Sequence, residues 1–202
     1  MRVLRPRSEE DVRRALIEAK EVLESGGLVI IPTETVYGIA SKLEFAEKIY
    51  EAKRRPRDKP LPVQTPLGRH REVGEFDEAA EALAKAFWPG PLTIVVKAKP
   101  WLPEAVTAGT GKVGVRVPAH PFALKLLELV GPLAVTSANL SGGKSPKSAE
   151  EVTVEADLLI DMGPVEGTPS TVVEVEGKKV KVLRRGPISE EEIQKVLSAL
   201  RS

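Results

Sequence analysis

The chain contains no cysteine. That removes disulfides, thiolate nucleophiles and every cysteine-ligated metal centre. Histidine is nearly as scarce, with two in 202 residues, His70 and His120. A multi-histidine metal site is therefore excluded, and a Ser-His-Asp triad would have to recruit one of this pair. Neither sign of charge dominates: 30 basic and 29 acidic residues leave a formal net charge of +1. Bulk charge thus gives no pull towards a polyanion, although a local basic patch stays open. Long apolar runs are missing too. Leu28–Ile31 is far too short to span a bilayer. The N-terminal stretch "MRVLRPRSEEDVRR" has no hydrophobic signal core. The expectation is a soluble, cytoplasmic protein with no membrane partner.

Two phosphate-binding fingerprints are also absent. "AGTGKV" imitates a P-loop, but that pattern needs a leading Gly and a Ser or Thr after the Lys. Here the leading position is Val106 and the residue after Lys112 is Val113. No Gly-x-Gly-x-x-Gly dinucleotide turn occurs either.

What remains reads as one domain over 1–202, with no repeat, no low-complexity segment and no composition shift. Ser8 with Asp11 marks the start of a helix of roughly 17 residues, closed by Gly26 and Gly27. Leu28–Ile31 reads as a buried strand, and a second helix is expected over Glu44–Ala52. Asp77 caps a helix that runs to Phe87. Leu61–Val63, Leu92–Lys97, Val113–Val117, Leu133–Thr136, Leu158–Ile160 and Thr171–Val175 read as strands. Pro121 starts a helix to Val130, and "EGKK" turns the chain into a strand over Val180–Leu183. Ser189 and three following glutamates open the last helix. Interleaved helices and strands with a late hairpin imply an α/β domain with a twisted, mixed sheet and flanking helices.

Chemistry is expected at the carboxyl ends of strands, where a rigid scaffold positions loops. Three polar segments qualify: Pro32–Gly38, Ser137–Pro146 and the stretch after Arg116. A fourth candidate is Lys53–Lys59, with five cationic side chains in seven residues and prolines at 56 and 60. It suits a phosphate clamp, and equally a solvated surface loop. "TSANLSGGKSP" offers hydroxyls and turn amides to an anion, or is an ordinary Gly/Ser turn. His120 reads as a helix cap before a general base. His70, between arginines, reads as a solvated loop residue. Glu34 and Asp58 read as salt-bridge partners or as carboxylates approaching magnesium.

Six blocks occur in order: "PTETVYGIA", "KRRPRDKPLPV", "FWPGPLTIVV", "VGVRVPAHP", "TSANLSG", and "PSTVVEV" with "VLRRGPIS". Together, from about Gly26 to Ser189, they resemble the YrdC family of threonylcarbamoyl-AMP synthases. The resemblance implies a concave, basic cavity. It implies condensation of L-threonine, bicarbonate or CO2 and ATP to L-threonylcarbamoyladenylate and pyrophosphate. That product serves N6-threonylcarbamoyladenosine modification of tRNA through a downstream transferase complex, and the resemblance is compatible with weak tRNA or RNA binding. Mg2+ is expected to travel with ATP, with no metal site on the protein.

The resemblance also assigns residues. Lys53, Arg55, Ser137 and Asn139 fall on the family's catalytic motifs. Thr33, Gln64, Arg116, Ser137 and Ser170 fall on the threonine side. Lys53, Arg55, Lys59, Asn139, Ser145 and Arg184 fall on the ATP side. Gln64 departs from the pattern, since many relatives carry His there. The end at Ser202 implies the short subfamily, without an extra C-terminal domain. Two other readings stand beside this one. A YrdC-like paralogue that binds RNA without ligase activity is disfavoured by the neutral charge and few aromatics. A carbamoyl-adenylate former with another acceptor is disfavoured by the missing zinc-finger cysteines.

Overall fold

The computed structural model describes residues 1–201. The N-terminal half contains β1 (Arg2–Leu4), α1 (Glu9–Glu24), β2 (Val29–Pro32), β3 (Tyr37–Lys42), α2 (Glu47–Lys53), β4 (Val63–Gln64), α3 (Glu78–Phe87) and β5 (Leu92–Lys97). It continues through α4 (Glu104–Thr107), β6 (Lys112–Arg116), α5 (Pro121–Val130), β7 (Leu133–Ser137), β8 (Leu158–Ile160), β9 (Thr171–Glu176), β10 (Lys179–Arg184) and α6 (Glu190–Ala199).

Local signals fix most helix ends. The Ser8 hydroxyl accepts the Asp11 amide at 3.0 Å, and the Asp11 carboxylate accepts the Arg7 amide at 3.1 Å. Asp77 accepts the Ala80 amide at 2.9 Å. Ser189 and Glu192 complete a reciprocal capping box at α6. At α5 the cap is His120, whose Nδ1 accepts the Phe122 amide at 3.1 Å while Pro121 takes the first helical position. The helix expected over Glu44–Ala52 is divided: a 3-10 turn over Leu43–Phe45 precedes α2, whose cap residue Ala46 has no side-chain acceptor. Lys53 is therefore the last residue of a helix and not the first of a loop.

The strands form one mixed sheet in the order β1-β8-β2-β3-β7-β4-β6-β5-β9-β10. β1 and β3 are the strands that local pattern does not announce. β1 is a three-residue edge strand parallel to β8, and β3, "YGIASK", is too rich in small residues to read as a strand. Pairing makes β3: it lies antiparallel to β2 on one side and to β7 on the other.

Alternation along the strands sorts side chains to two faces. On one face Ile30, Ile39, Ala134, Val63, Val115, Ile94 and Val173 belong to a core packed with residues of α2, α3 and α6. On the other, Val29, Ile31, Ala40, Leu133, Val135, Leu158 and Ile160 pack under α1 and α5. These two helices cover only the β8-β2-β3-β7 half. The corresponding face of β6, β5 and β9, with Arg116, Gly114, Thr93, Val95, Val172 and Glu174, is left without a helix and lines a cavity. Incomplete coverage of one face is what creates the site.

Candidate active site

The cavity has a volume of about 380 Å³. Its floor is the bare half-sheet. Its walls are the turn between β2 and β3 (Thr33, Thr35, Val36), the end of β7 with Ser137 and Ser145, the strip Pro60–Pro62, and Pro169–Ser170 with Arg184. Two floor positions are glycine, Gly38 and Gly114. A Cβ at Gly38 would stand 2.7 Å from Val135 Cγ1, and one at Gly114 would stand 3.1 Å from Thr93 Cγ2. The missing side chains deepen the floor.

Arg116 is the central charge. Its Nη1 donates to Glu34 Oε1 at 3.0 Å and to the Gly90 carbonyl at 3.2 Å, and its Nη2 donates to Thr35 Oγ1 at 3.1 Å. Glu34 is thus an ion-pair partner. Burial pushes the Arg116 guanidinium down, and the Glu34 carboxylate opposes that. The turn before β3 is knotted by hydroxyls: Thr33 Oγ1 lies 3.0 Å from Thr35 Oγ1 and donates to the Val36 carbonyl at 2.7 Å. Also on the cavity lining, Arg184 donates through Nε and Nη2 to the Ser170 carbonyl at 2.9 and 2.7 Å. The Ser170 hydroxyl lies 2.8 Å from Thr93 Oγ1. Burial lowers the Arg184 pKa, and the like charge of Arg116 lowers it further. Two guanidinia that feel one another in one cavity favour an anion between them.

Gln64 adds a second indication. It is 6 % exposed, stands on the cavity wall, and its Oε1 is buried with no partner. Buried polar atoms are almost always hydrogen-bonded. An orphan on the wall of a polar cavity suits a ligand that donates to it.

Of the residues assigned from sequence, Thr33, Gln64, Arg116, Ser137, Ser145, Ser170 and Arg184 lie on this wall. Lys53, Arg55, Lys59 and Asn139 do not. The surface-loop placement of Lys53 is corrected: it is 2 % exposed, and its ammonium donates to the carbonyls of Ser137 and Asn139. Arg55 folds back on its own loop, donating to the Lys59 carbonyl at 3.3 Å and the Pro60 carbonyl at 2.7 Å. Arg57 pairs with Glu47 and Glu51. Within the cationic run, Arg55 and Arg57 are thus tied locally, Lys53 is tied to the segment after β7, and Arg54 and Lys59 are exposed. The Asn139 amide closes a turn onto the carbonyls of Leu140 and Gly143, at 2.9 and 3.1 Å.

His70 is also corrected. Its ring lies edge-on to Phe76 and Trp88, and its Nε2 lies 2.7 Å from Glu81 Oε1, so it is a packed residue. Sequence reasoning missed Thr35, Thr93 and Gly114. Alternation in "LTIVVK" carried a signal for Thr93, a polar residue in the inward-outward rhythm of a strand. Thr35 falls inside the candidate segment Pro32–Gly38 without being singled out, and nothing local flagged Gly114.

A cavity on a bare half-sheet, with two guanidinia and several hydroxyls along its lining, defines an α/β protein whose site suits a small anionic ligand. Comparison with known proteins narrows the class. The family model Sua5/YciO/YrdC, described as telomere recombination, matches residues 21–186. The threonylcarbamoyl-AMP synthase of Pyrococcus abyssi is 42% identical over 190 residues, covering 89% of this chain and 56% of the relative. That of Bacillus subtilis is 40% identical over 197 residues, covering 92% of this chain and 57% of the relative. The crystal structure of P. abyssi Sua5 complexed with L-threonine superposes with a TM-score of 0.85 at 40% identity, covering 96% of this chain and 60% of that one. The chain belongs to the Sua5/YciO/YrdC family, and it spans little more than half the length of these two curated relatives.

Proposed function

We propose that this protein is a threonylcarbamoyl-AMP synthase, joining L-threonine, bicarbonate or CO2 and ATP into L-threonylcarbamoyladenylate with release of pyrophosphate. The observation that carries the reading is the shared wall: Gln64, Arg116, Ser137, Ser170 and Arg184 stand around one cavity. The named activity of the relatives and the L-threonine in a structural neighbour support it.

The chemistry matches the wall. Threonine's amine adds to the carbon of CO2 and loses a proton, giving a carbamate. A carbamate oxygen then attacks the α-phosphorus of ATP, and the bond to the bridging oxygen breaks as pyrophosphate leaves. Two anions must meet, so positioning and charge neutralisation matter more than proton transfer. In this reading Arg116 receives the amino-acid carboxylate with the N–H groups that Glu34, Thr35 and Gly90 leave over. Arg184, on the same lining, serves the phosphates in this reading. Ser137, Ser145 and Ser170 supply hydroxyl donors in this reading, and exclusion of water by bound substrates would protect the carbamate.

Magnesium accompanies ATP in this reading and is held by the phosphates. No three His, Asp or Glu gather among the described residues, and the cavity's carboxylate, Glu174, is paired with Lys112 at 3.3 Å. The product is a labile mixed anhydride, so a transferase acting on tRNA is the expected consumer. No described helix is long and apolar enough to cross a membrane.

The test is pyrophosphate release from ATP and magnesium, with threonine or bicarbonate omitted in turn. The reading requires release that depends on both. Threonine-independent release, or ATP binding with no turnover, would assign the cavity to a different acceptor.

A further inference from the structure

Lys53 lies behind the site. It ends α2, is 2 % exposed and does not line the cavity. Its Nζ donates to the Ser137 carbonyl at 2.6 Å and to the Asn139 carbonyl at 2.5 Å. The connection is reciprocal, because the Ser141 amide donates to the Lys53 carbonyl at 3.0 Å. One residue thus bonds three positions of the segment that leaves β7. Ser137 is the member of that segment whose residue stands on the cavity wall, and Asn139 closes the following turn onto Leu140 and Gly143.

The enclosure is costly for a charge. Burial, and then the nearby Arg55 guanidinium, push the Lys53 ammonium down to about 8. A buried ammonium kept in such a place needs compensating acceptors, and two backbone carbonyls provide them. Two of its three N–H donors are therefore directed at protein backbone and away from the cavity.

We propose that Lys53 is a positioning residue. By fastening the carbonyls of Ser137 and Asn139 to the end of α2, it sets where Ser137 stands on the wall, and so governs affinity for the amino-acid substrate as well as for the nucleotide. The proposal rests on the threonine reading above for its ligand, and on the three backbone bonds for its mechanism.

Two measurements separate these supports. The first is amide hydrogen exchange over 138–143 in the ligand-free protein, for wild type, Lys53→Met and Lys53→Gln. The Met variant removes both donors, and exchange in this segment is expected to accelerate by at least about tenfold while the remaining sheet is unchanged. Gln keeps two N–H donors without charge and is expected to restore part of the protection. Unchanged exchange in folded Lys53→Met overturns the proposal.

The second is calorimetric threonine affinity without ATP. Lys53→Met is expected to bind threonine about tenfold more weakly, since small misplacements of a contact residue have large effects. In a Ser137→Ala background the same change is expected to add little, because both act on one contact. Unchanged threonine affinity with weakened ATP binding would make Lys53 a phosphate contact and overturn the proposal. Full additivity would overturn the route through Ser137. If wild type does not bind threonine but Lys53→Met loosens 138–143, the positioning role stands and the threonine reading fails. Should Lys53→Met not fold, Lys53→Gln carries both measurements: normal protection and normal threonine affinity in it, with lost ATP affinity, would again mark a phosphate contact.

Discussion

Arg116 carries a charge to a wall where it is 4 % exposed, and Glu34 makes that tolerable. Removing one partner of a buried pair leaves the other uncompensated. Glu34 is a quarter exposed, so water relieves part of the loss. Arg116→Ala is expected to cost about 2–3 kcal/mol in urea unfolding and to abolish threonine-dependent pyrophosphate release. Arg116→Ala with Glu34→Gln is expected to recover about half of the stability but none of the activity. Recovery of activity would separate Arg116 from substrate. His120 is a second residue whose environment dictates a measurement. Burial holds its pKa below the ordinary histidine value, with Glu34 opposing. Its Nδ1 is an acceptor, so protonation there would remove the α5 cap. The folded state prefers the neutral ring. Its contribution is complete above the unfolded value of about 6.5 and is lost as pH falls through the lower folded value. Stability is expected to decline from about pH 7 to pH 5 through this residue, and His120→Asn, which caps without titrating there, is expected to flatten that part of the curve.

At the scale of elements, caps and alternation were readable because they are local. Ser8, Asp77, Pro121 and Ser189 announce their helices by side-chain chemistry within three residues of the helix start. Ser8→Ala is expected to cost about 1 kcal/mol in thermal or urea unfolding. β3 was not readable. Gly38 weakens it as a strand by itself but lets it lie against β7, and the same absence of a side chain deepens the cavity. Gly38→Ala is expected to destabilise by about 1–3 kcal/mol through the clash with Val135, and Val135→Ala in the same chain is expected to relieve part of it. No relief would locate the clash elsewhere, at the Thr136 carbonyl 3.4 Å from the added Cβ. The cationic run at 53–59 shows the opposite error. Five charges close together read as a surface loop, whether phosphate clamp or solvated run, yet helix α2 extends one residue further than its pattern suggests and takes Lys53 inside.

At the scale of the whole molecule, two apolar layers share one sheet. Trp88 lies in the layer under α2, α3 and α6, whereas Phe122 lies in the layer under α1 and α5. Because β2, β3, β7 and β8 contribute side chains to both layers, the layers are expected to unfold together. In a Trp101→Phe background, Trp88 fluorescence and far-ultraviolet circular dichroism are expected to give coincident urea transitions. Phe122→Ala is expected to shift both by the same amount, about 3–5 kcal/mol. A shift in the dichroism alone would mean that the α1/α5 layer opens independently.

Sequence by itself determined the elements that have their own end signals, the period-2 strands, the exclusion of thiol and multi-histidine chemistry, and the family blocks that the comparisons bear out. These follow from residue type and spacing, which act over a few positions. Tertiary structure alone decided which polar residues meet. Gln64, Arg116, Ser137 and Ser170 lie far apart in the chain, and they share one wall because two helices cover only half of a sheet face. It also decided that Lys53 faces backbone and not solvent, since the carbonyls it bonds are 84 and 86 residues away. Contacts at that separation depend on strand order and on what packs above it, and neither is written in any local stretch of sequence.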